Sequence, residues 1–147
     1  MIPTQPSEAP AHEYEIFRMR GAYLEDLEIG VEQECARFTL SEAEIIEFAK
    51  RFDPQPAHID PQFAKTTPSG TVTASAAHTF SIAIGLFARA ASECQNIAAL
   101  KIHAIELPAP TVPNVPMKLV GKWTEKRASN SKPDRGIASW EIEAMRE

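Results

Sequence analysis

Apolar residues follow two different periods along this chain, and the change between them sets the expected architecture. In "TLSEAEIIEFAKRF", residues 39–52, Ile45, Phe48, Ala49 and Phe52 recur at helical spacing and form one apolar face. Ser41 with Glu44 three positions later is a capping-box signature, so the helix starts there, and Pro54 ends it. In "DPQFAKTTPSG", Asp60 is placed to cap and Pro61 to open a short helix that Pro68 and Gly70 terminate. "ASAAHTFSIAIGLFARAA", residues 74–91, is apolar on nearly every side, with His78 and Arg89 as its only ionisable side chains. Such a helix belongs in the middle of a fold or in a membrane, and its Ser, Thr, His and Gly content favours the fold.

After Asn96 the period changes to two. Leu100 to Leu107 reads as a strand. Met117, Leu119, Gly121 and Trp123 alternate with Lys118, Val120, Lys122 and Thr124, and Ala138, Trp140, Ile142 and Ala144 alternate with Ser139, Glu141, Glu143 and Met145. The turn formers of "ASNSKPDRG" between them predict an antiparallel hairpin. "LPAPTVPNVP" carries four prolines in ten residues and is expected to be an ordered crossing loop. A weaker strand is expected over Val31 to Phe38. One apolar helix followed mostly by antiparallel strands predicts an α+β fold in which a curved sheet wraps the helix and buries its whole circumference. Residues 1–20, rich in Pro, Glu and polar groups, are expected to form a loose arm, and residues 21–147 a single domain.

Composition narrows the function classes. The chain has 147 residues, 44% hydrophobic and 24% charged, which suits one ordinary domain. "MIPTQPSEAPAHEYE" lacks the basic and apolar regions of a secretory signal, so a cytoplasmic location is expected. Cys35 and Cys94 are too few and too far apart for a disulfide scaffold or a four-ligand zinc site and read as free thiols. The histidines at 12, 58, 78 and 103 show no paired ligand spacing, and no metal is expected. Residues 1–60 hold 13 acidic and 5 basic groups, residues 61–147 hold 7 and 10. No Lys/Arg run with interleaved aromatics appears, which argues against a nucleic-acid partner and leaves room for a small anionic ligand at the second half.

Candidate chemistry concentrates in "FDPQPAHID", residues 52–60. Two prolines make the segment stiff, and it carries Asp53 and His58. Taken alone, Asp53 is either a turn former beside Pro54 or an acid/base group, and His58 either a surface loop residue or its partner. Gln55 is either a turn amide or a pocket hydrogen bonder. Asp60 reads as a helix cap. His78 either faces a pocket or is a satisfied core histidine.

"FAKRFDPQPAHIDPQFA" resembles the signature of the MaoC-like dehydratases and (R)-specific enoyl-CoA hydratases, a hot-dog-fold family. Its motif runs from an aromatic residue through Gly-Asp-x-Asn-Pro, an aliphatic residue and His to a small residue six positions later. Phe48, Asp53, Pro56, His58 and Ala64 match it without a gap. Phe52 stands for the Gly and Gln55 for the Asn, as in a subset of the family reading F-D-P-Q-P-F-H-x-D, from which this chain departs at Ala57. "YLEDLEIG" and "SKPDRG" also look like family segments. The resemblance covers roughly residues 23–146. Ala76 stands where the family usually has a glycine at the mouth of its central helix, and the family's usual last strand has no counterpart before Glu147.

The resemblance implies reversible hydration of a trans-2-enoyl thioester, or dehydration of the 3-hydroxyacyl thioester. Asp53 is then the general base, and His58 orients the water and shares the proton traffic. The Ala76 N–H binds the thioester oxyanion, with Gln55 and His78 as further substrate-binding candidates. No cofactor is implied beyond the coenzyme A or acyl carrier thioester of the substrate itself. A homodimer or larger hot-dog oligomer is implied, with a heteromer as the other option and no membrane partner. The rival reading is a non-catalytic or degenerate hot-dog subunit that completes a heteromer or binds acyl thioesters. A thioesterase on the same fold needs a carboxylate on the central helix, and residues 74–91 contain none.

Overall fold

Helix α1, Glu42–Phe52, begins where the capping box places it: the Ser41 N–H donates to Glu44 Oε2 at 2.7 Å, and the Glu44 N–H donates to Ser41 Oγ at 3.2 Å. Here and below the structure is a computed structural model that describes residues 14–147. Ile45 and Ala49 are buried, whereas Phe52 at the end of the expected apolar face is 59% exposed. Asp53 is the C-cap, with an irregular backbone (φ −158°, ψ 74°) that Pro54 imposes on the residue before it.

The stiff segment after α1 contains more helix than its prolines suggest. Pro56 opens a single turn, α2, Pro56–Ile59, because proline is well suited to a first helical position, where its N–H is not needed. Asp60 then caps α3, Pro61–Ala64, accepting from the Gln62 and Phe63 amides at 2.8 and 3.2 Å.

Four antiparallel strands form one sheet in the order β1-β2-β3-β4: β1 Tyr14–Ile16, β2 Gln33–Phe38, β3 Met117–Ala128 and β4 Gly136–Arg146. β3 and β4 form the expected hairpin, paired from Met117 opposite Arg146 to Ala128 opposite Gly136 with a one-residue register shift between Trp123 and Glu125. On β3 the side chains of Met117, Leu119 and Trp123 are buried in alternation. A bulge in β2 between Glu34 and Ala36 lets Cys35 and Ala36 both reach the core, where strict alternation would expose one of them.

Helix α4, Ala76–Ala90, lies against all four strands and α1. Phe87 is its anchor, stacked on Trp140 at 4.4 Å and edge-on to Trp123 at 5.9 Å. Gly121 leaves space for that ring: a Cβ there would sit 3.0 Å from Phe87 Cε2 and 3.0 Å from Cys35 Sγ. His78, Ala83, Leu86, Phe87 and Ala90 are buried.

Three expectations are corrected. The circumference of α4 is not wholly covered, since Ala77, Ser81, Gly85 and Ala88 are exposed along one face. Leu100 to Leu107 is not a strand of this sheet: it pairs with no described strand, and Leu100 and Ile102 are 74% and 58% exposed. The arm expected over residues 1–20 joins the fold from Tyr14 onward, because Tyr14–Ile16 pairs with Ala36–Phe38 and Met19 is 2% exposed. Residues 1–13 lie outside the described residues. No helix among the described residues is long and apolar enough to cross a membrane.

Candidate active site

The three-residue joint between α1 and α2 brings Asp53 and His58 together. Their side chains are mostly buried, 27% and 15% exposed, and Asp53 Oδ2 lies 3.9 Å from His58 Nε2. That gap is too long for a direct hydrogen bond, yet one oxygen atom placed between them reaches both at ordinary hydrogen-bond length.

The other imidazole nitrogen fixes the tautomer. Nδ1 lies 2.6 Å from the Thr73 carbonyl oxygen and 3.3 Å from Thr73 Oγ1. A carbonyl can only accept, so Nδ1 carries the proton and Nε2 of the neutral ring presents its lone pair toward Asp53. Thr73 is itself tied down through its N–H to the Ala57 carbonyl at 3.3 Å, and the next residue, Ala74, donates to the Thr111 carbonyl at 2.8 Å. Buried Thr111 thus ties the proline-rich crossing loop to the segment that orients His58.

The same segment delivers the start of α4. Ser75 caps it, with Ser75 Oγ accepting from the His78 N–H at 3.1 Å and its carbonyl from the Thr79 N–H at 3.0 Å. The amides of Ala76 and Ala77 have no partner among the described residues and lie at the positive end of the helix dipole, on residues that are themselves exposed. An oxygen bearing developing negative charge is what two such donors suit.

Gln55 is exposed, and its side chain turns to Asp53: its Nε2 donates to Asp53 Oδ1 at 2.8 Å. His78 is turned inward, stacked on Phe48 at 4.3 Å, and burial holds its pKa below the ordinary value. His103 lies on the exposed segment that follows α4. The family resemblance singled out Asp53, His58 and Ala76 but gave no sign of Thr73, because a backbone carbonyl acting on a ring leaves no mark in residue type.

Other chemistry is scarce. Cys35 and Cys94 are free thiols; burial raises both, Cys35 to about 11. Among the described residues no three His, Cys, Asp or Glu side chains converge as a metal site. Several cations near the hairpin are already engaged: Lys126 donates to the Glu25 and Leu27 carbonyls, Lys122 pairs with Glu141 at 3.1 Å, and Arg135 with Asp134 at 2.8 Å. An open cleft of about 390 Å³ lined by Ile29, Arg127 and Ile137, and another of about 430 Å³ lined by Arg37 and Met117, both lie away from Asp53 and His58.

Comparison with known proteins identifies the family and the fold. Residues 27–142 match the model of the MaoC like domain. Among solved structures, a MaoC-like dehydratase from Rhodospirillum rubrum is 31% identical, with a TM-score of 0.70 over 86% of this chain and 87% of that one. A monoamine oxidase regulatory protein from Archaeoglobus fulgidus is 25% identical, with a TM-score of 0.75 over 90% and 88%. The (R)-hydratase of A. caviae involved in PHA biosynthesis, 21% identical with a TM-score of 0.61 over 82% and 86%, shares the fold. No curated protein matches the sequence. With the family model spanning most of the chain and the hot-dog architecture common to these structures, this chain belongs to the MaoC-like domain family.

Proposed function

We propose that the protein is a hydro-lyase that reversibly hydrates a trans-2-enoyl thioester to the 3-hydroxyacyl thioester. The observation that carries this reading is the Asp53–His58 pair, 3.9 Å apart with the His58 tautomer set by Thr73. A water between them donates one hydrogen to Asp53 Oδ2 and the other to His58 Nε2, leaving an oxygen lone pair free to attack Cβ of the enoyl group. Asp53 takes one proton as the C–O bond forms, and that proton passes to the bare Nε2 of His58 and on to Cα, so the OH and the H of one water add in all and both side chains end as they began. Charge that gathers on the thioester oxygen meanwhile is met by the Ala76 N–H, with the Ala77 N–H beside it. Coenzyme A or an acyl carrier supplies the thioester as substrate, and the reading needs no further cofactor.

The working unit we propose is a homodimer. In this reading a second copy helps to wall the acyl chain beside Asp53 and His58. Ile97, Leu100, Ile102, Ile105 and Leu107 are 73, 74, 58, 51 and 46% exposed on one continuous segment. An apolar surface of that extent is characteristic of a protein–protein contact.

The test is loss of the conjugated enoyl-thioester absorbance on a panel of trans-2-enoyl-CoAs, with Asp53→Asn and His58→Ala alongside. Turnover that collapses in both variants supports the reading. Folded wild-type protein inert on every acyl length would sink it and favour a non-catalytic subunit, the reading to which the methyl of Ala76 beside the free amides lends some support.

A further inference from the structure

Gln55 is the N-cap of α2, yet its side chain makes no cap hydrogen bond. At that position the short side chains of Ser, Asp and Asn are preferred because they bend back to the first free amides. Gln is one methylene longer than Asn, and here the extra length carries the amide the other way, so that Nε2 donates to Asp53 Oδ1 at 2.8 Å. The backbone of the same residue ties both members of the pair: its N–H donates to the Asp53 carbonyl at 2.8 Å, and its carbonyl accepts from the His58 N–H at 2.9 Å.

We infer that Gln55 is a positioning residue for Asp53, not a substrate-binding group: its amide occupies Oδ1 and stops the carboxylate rotating, so that Oδ2 alone faces His58 Nε2. This deepens the hydratase reading and rests on it. An Asp freed to rotate about χ2 points a lone pair at the water only part of the time, and an attack geometry lost by about an ångström costs on the order of 100-fold in rate. Since Nε2 is engaged with Asp53, the expected loss falls on kcat rather than KM.

The test compares wild type with Gln55→Met, which keeps the length without the donor, Gln55→Asn, which keeps the amide without the reach, and Gln55→Glu. With a trans-2-enoyl-CoA, Met and Asn are expected to lower kcat by about 10- to 100-fold with KM within about twofold. Gln55→Glu is expected to be the poorest above neutrality, where two carboxylates repel, and to recover relative to Gln55→Met as the pH falls and a protonated Glu can donate. That recovery would not follow from a merely structural defect. A raised KM at unchanged kcat makes Gln55 a substrate contact and overturns the inference, as does wild-type kcat in Gln55→Met. A second readout is independent of turnover: the Gln55 side-chain amide resonances of the intact protein should shift in Asp53→Ala. Unmoved resonances refute the clamp even in an active enzyme, whereas shifted resonances in a protein inert toward enoyl thioesters refute the hydratase reading alone.

Discussion

His78 lies flat against Phe48, with ring centroids 4.3 Å apart and planes within 7° of parallel. The contact fastens the first turn of α4 to the last turns of α1, whose C-cap is Asp53. It joins the proposed oxyanion donors to the proposed base through two rings. The imidazole is 8% exposed and its Nδ1 has no hydrogen-bond partner among the described residues, so a neutral ring is what the site accommodates.

A pH dependence of stability follows. Desolvation lowers the His78 pKa from 6.5, opposed by the smaller pull of Glu44 on α1. The folded state therefore binds fewer protons here than the unfolded state. Stability is fully present above the unfolded value and is lost as pH falls through the depressed folded one. Urea midpoints at pH 7.5 and 5.5 should fall further for wild type than for His78→Leu, which has nothing to protonate at this site. Equal losses in the two proteins would show that His78 does not contribute to the acid side.

Gly121 makes a prediction about packing. A methyl there meets Cys35 Sγ at 3.0 Å and Phe87 at 3.0 and 3.2 Å, while Phe87 is held from behind by Trp140. Neither neighbour has free room, so Gly121→Ala should cost about 1–3 kcal/mol, as overpacking of a tight core does. Chemical denaturation measures this directly, and an unchanged midpoint would mean that α4 sits further from β3 than the contacts indicate.

How much of this was legible in the sequence depended on how local the cause was. Ser41 with Glu44, Asp60 with Pro61, and the turn formers between β3 and β4 act within a few residues, and all three did as expected. The turn of helix at Pro56–Ile59 was not legible, because the same residue that stiffens a loop also opens a helix, and only the neighbours decide which. Tyr14–Ile16 carries no pattern of its own and becomes a strand by pairing with β2. Ile97 to Leu107 has the residues of a strand, but a ladder needs a partner at the right edge, which no local pattern encodes. In the site, Asp53 and His58 stood out through a motif, whereas the Thr73 carbonyl that sets the tautomer did not, since every residue has a carbonyl.

The tautomer itself is measurable. With Nδ1 held 2.6 Å from the Thr73 oxygen, the ¹⁵N spectrum of neutral His58 should show a protonated Nδ1 and a bare Nε2. His58→Asn is expected to preserve the contact to Thr73 and the fold while losing about 10²- to 10⁴-fold in hydration rate, because nothing replaces Nε2. A spectrum with the proton on Nε2 would reverse the assignment, since that ring would donate toward Asp53 instead of accepting from water.

The exposed segment after α4 gives the last prediction. Its five large apolar side chains are 46–74% exposed, and Ala77, Ser81, Gly85 and Ala88 leave one face of α4 lined by small side chains that a neighbour can approach closely. If a second copy covers the segment, charge placed there is costly in the dimer and harmless in a monomer, where the positions are already wet. Leu100→Lys with Ile102→Lys should therefore yield a folded monomer by sedimentation, with wild-type circular dichroism. Turnover should fall with the dimer if the second copy also walls the acyl chain. A variant that stays dimeric would remove this segment from the interface, and a monomer with full activity would show that one chain encloses its substrate unaided.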